Sequence, residues 1–205
     1  MEDLRIAISM RVTSASGYNE IRDTIARDWS IYLNKVFPKA NWLLVPNMGE
    51  AVVDYLQKWN INALILTGGD DLGVFVDRDE TEKYMFRYAQ KQEYPVLGIC
   101  RGLQAIYTWL GGKVESTDLD FAARHVAKAH DIIYEDKVYL VNSYHNLMLD
   151  PFSCPNELEP IAHSVNDNAI EAIRGHRILG FMWHPERYDE PKKWETDVIH
   201  EFLNQ

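Results

Sequence analysis

The chain has 205 residues, of which 46% are hydrophobic and 25% charged, and this length and composition predict one folded domain spanning residues 1–205. Its 21 basic and 31 acidic side chains give a net charge of −10. Such a negative field repels phosphate backbones and anionic lipid headgroups, so nucleic acid and membranes are disfavoured as partners. The two cysteines, Cys100 and Cys154, are too few for a disulfide framework and favour a reducing compartment.

The amino terminus gives no sign of export. It carries Glu2 and Asp3 before a short apolar run, which is the reverse of a secretory signal peptide. No stretch approaches the roughly 20 apolar residues that a membrane span needs. We therefore expect a cytoplasmic protein.

Strands and helices alternate in the first half of the chain. Short apolar runs predict strands, and apolar residues that recur every three or four positions predict helices. The predicted strands lie at 4–9, 42–45, 63–66 and 95–99, and the predicted helices at 19–36, 50–59 and 78–92. This alternation is typical of an α/β fold with a largely parallel central sheet covered by helices on both faces.

The second half has a different pattern, with strand-like runs joined by short connections. The predicted strands lie at 137–141, 161–165, 169–173 and 178–183, followed by a helix at about 194–203. We expect them to add antiparallel strands to the sheet. Ligands of open α/β sheets bind outside the carboxyl ends of the strands, so the loops after Ser9, Leu66, Ile99 and Trp183 are the candidate site region.

Cys100 follows an apolar strand and is bracketed by Gly98 and Gly102. This is the nucleophile-elbow pattern with cysteine in place of serine, in which small neighbours permit a tight strand-to-helix turn. The start of a helix also lowers the pKa of a thiol, because the helix dipole and free N–H groups favour the thiolate. The alternative is a buried structural cysteine.

A cysteine nucleophile needs a base, and His184 is the candidate. It ends an apolar strand, and Glu186 follows two positions later as a carboxylate that could orient the imidazole. The alternative is a histidine that caps the strand beside a solvated glutamate. The other histidines, at 125, 130, 145, 163, 176 and 200, lack a recognised zinc spacing, so neither a metal nor another cofactor is expected.

The paired glycines of the segment Thr67–Asp71 follow another predicted strand. Acyl transfer needs N–H donors aimed at the developing oxyanion. The backbone N–H groups of Gly69 and Arg101 are our candidates for this oxyanion hole. A plain Gly-Gly-Asp turn is the alternative for the first of them.

In this order, these segments resemble the class I glutamine amidotransferase superfamily, in particular its γ-glutamyl hydrolase-like branch. The segments that carry the resemblance are TGGDD, GICRGLQ and WHPE. The resemblance implies a flavodoxin-like three-layer sandwich and a Cys100–His184–Glu186 triad that cleaves a γ-glutamyl amide through a thioester. It also implies that Gln104 and the segment Ser143, Tyr144 and His145 hold the glutamyl substrate.

A closer likeness is to γ-glutamyl-CDP-amidate hydrolases. It is carried by residues 8–12, 18–23, 141–146 and 182–187. The likeness implies release of glutamate and cytidine diphosphoramidate, a product used for phosphoramidate modification of bacterial surface polysaccharide, or capsule.

Three arginines suit an anionic, nucleotide-linked leaving group. Arg11 and Arg22 are expected on the loop and helix after the first strand, and Arg101 follows the nucleophile. The forked donors of arginine match phosphate oxygens. Pairing of Arg22 with Glu20 or Asp23 on a solvated surface is an equal alternative.

The sequence is also compatible with other functions. One is a glutaminase subunit that passes ammonia to a synthase partner. Another is a hydrolase of γ-glutamyl-aminobutyrate or γ-glutamyl-polyamine, whose cationic leaving group would favour Asp70, Asp71 and Glu20. A non-catalytic binding member of the fold is disfavoured, because binding requires neither His184 nor Glu186.

Overall fold

The computed structural model describes residues 3–204. Their contacts form two compact units, one made of residues 3–96 with 185–204 and the other of Leu97–His184. Among residues 3–204, no helix is long and apolar enough to cross a membrane. Residues 1, 2 and 205 lie outside the described part, so the acidic start of the chain is covered only from Asp3, and a single domain over 1–205 stays a prediction.

The described chain alternates strands and helices through its first half and is rich in strands after residue 110. In chain order the strands are β1 (Arg5–Ser9), β2 (Arg11–Ser14), β3 (Ile21–Thr24), β4 (Asn41–Val45), β5 (Ala63–Leu66), β6 (Val96–Ile99), β7 (Val114–Ser116), β8 (Val126–Tyr134), β9 (Lys137–Tyr144), β10 (Leu147–Leu149), β11 (Leu158–Ser164), β12 (Ile170–Gly175) and β13 (Ile178–Phe181). The α-helices are α1 (Arg27–Val36), α2 (Val52–Lys58), α3 (Val76–Gln92), α4 (Arg101–Trp109), α5 (Leu119–His125) and α6 (Lys193–Leu203). Single 3₁₀ turns lie at Gly49–Ala51, Pro151–Ser153 and Pro185–Arg187.

Three strands of the first unit pair in parallel, with β1 in the middle. Ile6 of β1 is opposite Trp42 of β4 on one side and Ala63 of β5 on the other. All four residues of β5 are buried, as expected for a strand that is covered on both faces. Helix α1 buries Trp29 and Leu33 on one side, which matches its amphipathic pattern.

The helix predicted over 19–36 is wrong in its first part, where β2 and β3 form an antiparallel hairpin and α1 begins only after it. Gly17 has a φ of +91° in the hairpin loop, a conformation that favours glycine. The Asp23 carboxylate accepts hydrogen bonds from the backbone and the side-chain amide of Asn47, which ties the hairpin to the loop after β4. Ile21 is 62% exposed, so its helical spacing from the later apolar residues is coincidental.

The strands of the second unit are arranged in the order β6, β13, β12, β11, β8 and β9. The pairs β13–β12, β12–β11, β11–β8 and β8–β9 are antiparallel, which confirms the prediction of antiparallel strands in the C-terminal half. A separate two-stranded pair joins β7 to β10. Helix α4 follows β6 and is buried over its first seven residues.

Four elements of the second unit were missed by the sequence prediction, namely β7, α5, β8 and β10. Helix α5 has only seven residues and begins where the Asp118 side chain accepts a hydrogen bond from Phe121 N–H at 2.8 Å. In β8 the first four residues are exposed, and the buried ones that follow include His130. Both elements therefore lack the long apolar pattern that marks an element in a sequence.

Gly98 allows β6 to lie against the start of α4. A Cβ at this position would be 2.8 Å from the backbone nitrogen of Leu103 and 2.9 Å from the carbonyl carbon of Gly102. At Gly180 of β13 a Cβ would instead meet the Leu103 side chain, with its Cδ1 at 2.7 Å. The contact at Gly98 is with backbone, which cannot move as a side-chain end can.

We expect Gly98→Ala to destabilise the protein by about 1–3 kcal/mol, because the added methyl overpacks a backbone contact. Thermal unfolding would show this as a Tm lower by roughly 2–12 °C. Gly180→Ala is the matched control and should lower Tm less, since the shortest contact of its added methyl is with the end of a side chain and not with backbone. Equal Tm losses for the two variants would contradict this account of the turn.

Candidate active site

Cys100 lies at the turn between β6 and α4 in a strained backbone conformation. Its φ of +50° and ψ of −106° are rare for a residue with a side chain. The conformation is held by two backbone hydrogen bonds: Cys100 N–H donates to the Phe181 carbonyl at 2.7 Å, and Gln104 N–H donates to the Cys100 carbonyl at 3.0 Å. This is the geometry of a nucleophile elbow.

The thiol of Cys100 is buried but electrostatically favoured as thiolate. Burial acts to raise its pKa, while the charge of His184 and a hydrogen bond with that imidazole lower it. The charge of His145 and a hydrogen bond from the backbone of Arg101 act in the same direction. The result is a pKa below the ordinary value of a cysteine, as an activated nucleophile requires.

His184 follows β13 and is held through its backbone by Asn142. The Asn142 side-chain amide donates to the His184 carbonyl at 2.8 Å, and its oxygen accepts from His184 N–H at 2.8 Å. The Tyr144 ring stands edge-on to the imidazole, with 5.5 Å between the ring centroids. Asn142 was not among the predicted site residues, although the polar segment Asn142–His145 at the end of a predicted strand was a signal that could have included it.

Four residues predicted to hold the glutamyl substrate are in this unit. Gln104, Ser143 and His145 are buried, whereas Tyr144 is 43% exposed. The Ser143 hydroxyl has no hydrogen-bond partner among residues 3–204, so a polar ligand group would satisfy it. Burial lowers the pKa of His145, but its close contact with Glu171 and the charge of that carboxylate outweigh burial and raise the pKa.

The loop that carries Gly69 belongs to the first unit and is held by Arg78 of α3. One Arg78 nitrogen donates to the carbonyls of Thr67 and Gly68, at 2.9 and 3.0 Å, and another donates to Glu82 at 3.0 Å. Because the carbonyl and N–H of a trans peptide point in opposite directions, the bond to the Gly68 carbonyl directs Gly69 N–H away from Arg78. Sequence reasoning missed Arg78, since a basic residue on a charged helix gives no sign of burial.

Two of the three arginines predicted for phosphate, Arg11 and Arg22, lie beside carboxylates. Arg11 begins strand β2 and does not lie in a loop as predicted, and its guanidinium is 3.8 Å from the Asp70 carboxylate. Arg22 lies on β3 and not on a helix, and it pairs with Glu20 and the Tyr18 hydroxyl on an exposed surface. The local pairing that was the alternative for Arg22 is therefore present, and a phosphate contact by either arginine stays a prediction.

Glu186 is buried in the 3₁₀ turn Pro185–Arg187 of the first unit, where the Arg187 guanidinium is 3.7 Å from its carboxylate. Its charge also acts on Glu195, whose pKa is raised to about 8 mainly by burial. Glu186 and the pair Cys100 and His184 belong to different units, so the triad stays a prediction.

One buried cluster of the second unit has the chemistry of a metal site. The donor atoms of His125, His130 and Glu171 all lie within 4.8 Å of one another. Sequence spacing gave no reason to expect a metal here, because the three residues come from three separate elements.

The comparisons with known proteins identify the family of the chain. A profile of the glutamine amidotransferase class-I family matches residues 39–203. The γ-glutamyl-CDP-amidate hydrolase of Campylobacter jejuni is 30% identical over 190 residues, which cover 89% of this chain and 90% of that protein. The small chain of carbamoyl phosphate synthase from Aquifex aeolicus is 29% identical over 148 residues, which cover 69% of this chain and 37% of that protein. A solved structure from Thermoplasma acidophilum, described as a GMP synthase subunit, has a TM-score of 0.70 at 17% identity and covers 100% of this chain and 94% of that chain.

The chain therefore belongs to the glutamine amidotransferase class-I family. The structural similarity confirms the predicted α/β fold with its mixed sheet. The family and the relative from Campylobacter jejuni support a hydrolase of the glutamine amidotransferase type.

The electrostatics of Cys100 predict its reactivity toward alkylating agents. In a Cys154→Ala background, the rate at which iodoacetamide alkylates Cys100 should rise with pH. The midpoint of this pH profile should lie below the ordinary pKa of cysteine. Adding His184→Ala removes the largest influence that favours the thiolate and leaves burial in place, so alkylation at pH 7 should slow about tenfold. Coincident pH profiles for the two proteins would contradict the pairing of Cys100 with His184.

The two bonds from Asn142 predict that this residue positions His184. Asn142→Ala removes both hydrogen bonds from this side chain to the buried backbone of His184, which should cost about 1–3 kcal/mol of stability. It should also shift the pH profile of Cys100 alkylation, a change that mere destabilisation would not produce. An unchanged alkylation profile in Asn142→Ala would remove the positioning role.

Proposed function

We propose that the protein is a cysteine-dependent hydrolase that cleaves a γ-glutamyl amide through a thioester, with γ-glutamyl-CDP-amidate as its substrate. The observation that carries the proposal is Cys100, a cysteine in a strained elbow whose pKa is lowered by His184 against the effect of its burial. The substrate rests on the similarity to the hydrolase of Campylobacter jejuni.

In the first step the Cys100 thiolate attacks the γ-carbonyl carbon, and the carbonyl electron pair moves onto the oxygen. We assign the backbone N–H groups of Gly69 and Arg101 to the resulting oxyanion. Two features support this role. A hydrogen bond from the Arg101 backbone lowers the pKa of the Cys100 thiol, and Arg78 binds the Gly68 carbonyl, which leaves the Gly69 N–H on the other side of that peptide.

Collapse of the tetrahedral intermediate breaks the carbon–nitrogen bond, and His184 gives a proton to the departing nitrogen. Cytidine diphosphoramidate leaves, and the glutamyl group remains on the sulfur as a thioester. A water molecule deprotonated by His184 then attacks the thioester carbon, so glutamate and the free Cys100 thiol are released. We assign Glu186 to the orientation of His184, on the basis of its place two residues later in the chain and its burial.

The glutamyl part of the substrate is assigned to Gln104, Ser143, Tyr144 and His145. The unsatisfied, fully buried hydroxyl of Ser143 is the strongest support among them, because a buried polar group needs a partner. The product would supply phosphoramidate for modification of surface polysaccharide, as in capsule biosynthesis.

A glutaminase subunit that delivers ammonia to a synthase partner is the second candidate. It is favoured by the similarity to the small chain of carbamoyl phosphate synthase. A γ-glutamyl-aminobutyrate or γ-glutamyl-polyamine hydrolase has less support, because Arg11 and Arg22 lie against two of the carboxylates proposed for its cationic leaving group, Asp70 and Glu20.

Replacement of the nucleophile tests the mechanism. Cys100→Ala should lower hydrolysis of γ-glutamyl substrates by about 10³-fold or more, because the covalent step is lost. Cys154→Ala is the matched control and should keep wild-type activity, measured as glutamate release. A Cys100→Ala protein that stays within about tenfold of wild type would show that the mechanism is wrong.

The substrate is tested by comparing γ-glutamyl-CDP-amidate, γ-glutamyl-aminobutyrate and glutamine at equal concentration, with product analysis by mass spectrometry. We expect kcat/KM for the first to exceed the other two by at least about 10²-fold. Comparable kcat/KM values for all three compounds would reject γ-glutamyl-CDP-amidate as the specific substrate, but they would not contradict membership of the family. Glutamine turnover that rises only when a synthase is added would favour the second candidate.

A further inference from the structure

The second unit buries a cluster of imidazoles around a single carboxylate oxygen. Glu171 Oε1 lies 3.5 Å from His125 Nδ1, 3.3 Å from His130 Nε2 and 3.6 Å from His145 Nε2. All four side chains are at most 5% exposed. None of these four atoms makes a hydrogen bond of acceptable geometry within residues 3–204, so the cluster is buried and unsatisfied.

Two of the histidines, His125 and His145, make hydrogen bonds through the ring nitrogen that faces away from Glu171. These bonds determine the tautomer of each ring. His125 Nε2 is 3.0 Å from Asp167, a carboxylate that only accepts, so this nitrogen carries a proton. His145 Nδ1 is 2.9 Å from the Leu147 carbonyl and is likewise a donor. When neutral, both rings therefore point a lone pair at Glu171, and this arrangement is repulsive unless a proton or a metal ion lies between the ring nitrogen and the carboxylate.

Two of the distances in the cluster match those between the ligands of a tetrahedral ion. Bonds of 2.0–2.1 Å from an ion to nitrogen or oxygen place neighbouring ligand atoms about 3.3–3.4 Å apart. The contacts of His125 and His130 with Glu171, at 3.5 and 3.3 Å, are close to this separation. The outer bond from His125 to Asp167 has the carboxylate–histidine–metal arrangement that fixes the tautomer of a metal ligand.

The backbone that carries the histidines is itself irregular. His125 ends α5, and two residues later Ala127 has a φ of +53° at a register shift between β8 and β9. A bulge of this kind redirects the side chains that follow it, and His130 is the first buried residue of β8. A strained backbone conformation persists only where surrounding interactions hold it. A bound ion would provide such an interaction.

We propose that His125, His130 and Glu171 bind a divalent transition-metal ion of the zinc class, with a water molecule as the fourth ligand. Two imidazoles and one carboxylate suit zinc and its neighbours, whereas magnesium and calcium prefer sites made of oxygen. The ion links α5, β8 and β12, and the proposed reaction itself needs no metal.

The test uses the full-length chain without a histidine tag, prepared with zinc or cobalt and freed of loose metal by gel filtration. Elemental analysis should give one ion per chain, and cobalt should produce the visible absorption of a tetrahedral site. Zinc at a hundredfold excess over its Kd should raise Tm by about 5–10 °C. His130→Asn and Glu171→Gln should lose the ion, while His176→Asn, at an exposed position, should keep it.

Two results would overturn the site: a wild-type protein that binds neither zinc nor cobalt, or an ion that persists in both His130→Asn and Glu171→Gln. The first would mean that the cluster is held by protons alone. If the cluster variants fail to fold, cobalt absorption of the wild-type protein still decides between metal and protons. Cys100→Ala should keep the ion and lose hydrolysis, so failure of the proposed reaction and failure of the metal site are separate outcomes.

Discussion

The strained backbone conformation of Cys100 is the constraint that the neighbouring elements of the second unit must maintain. A residue with a side chain keeps a φ of +50° only when its neighbours hold it there. Here the hydrogen bond to the Phe181 carbonyl, the start of α4 and the absence of a side chain at Gly98 provide that support. The result is a thiol at a helix start, where burial and the nearby imidazole act on its pKa in opposite directions and the imidazole prevails.

The segment Asn142–His145 at the end of β9 contributes side chains both to the support of His184 and to the histidine cluster around Glu171. Asn142 holds the backbone of His184 through two bonds, and His145 faces Glu171 at the edge of the histidine cluster. Alternate residues of a strand point to opposite faces, so a short polar segment can supply side chains to two environments. Buried polar groups of this density are stable only when each has a partner, and the unsatisfied atoms around Glu171 therefore support the proposed metal site.

In the first unit, Arg78 explains why a glycine-rich loop keeps a defined shape. Its guanidinium is fully buried; its Nη2 donates to the carbonyls of Thr67 and Gly68, and its Nε donates to Glu82. A buried arginine is tolerated only with such partners. A Cβ at Gly69 would lie 2.3 Å from an Arg78 nitrogen, so the glycine is required by this packing as well as by its φ of +146°.

Local features were predictable from the sequence because they depend on neighbours in the chain. The buried strands β5 and β6, the elbow cysteine between Gly98 and Gly102 and the paired glycines at 68 and 69 each have a signature within a few residues. The hairpin β2–β3 was missed, since its apolar residues imitate a helical repeat while a tertiary bond from Asn47 to Asp23 holds it.

The sequence by itself determined the α/β class, the family motifs and the candidate nucleophile and base. Only the tertiary structure decided that Asn142 supports His184, that Arg78 shapes the Gly69 loop, and that His125 and His130 meet Glu171. Spacing along the chain carries no information about such pairs, because a hydrogen bond or an ion site depends on a few ångströms of separation between atoms that the fold brings together from distant positions. Asn142 and His184 are 42 residues apart and are joined by two bonds of 2.8 Å.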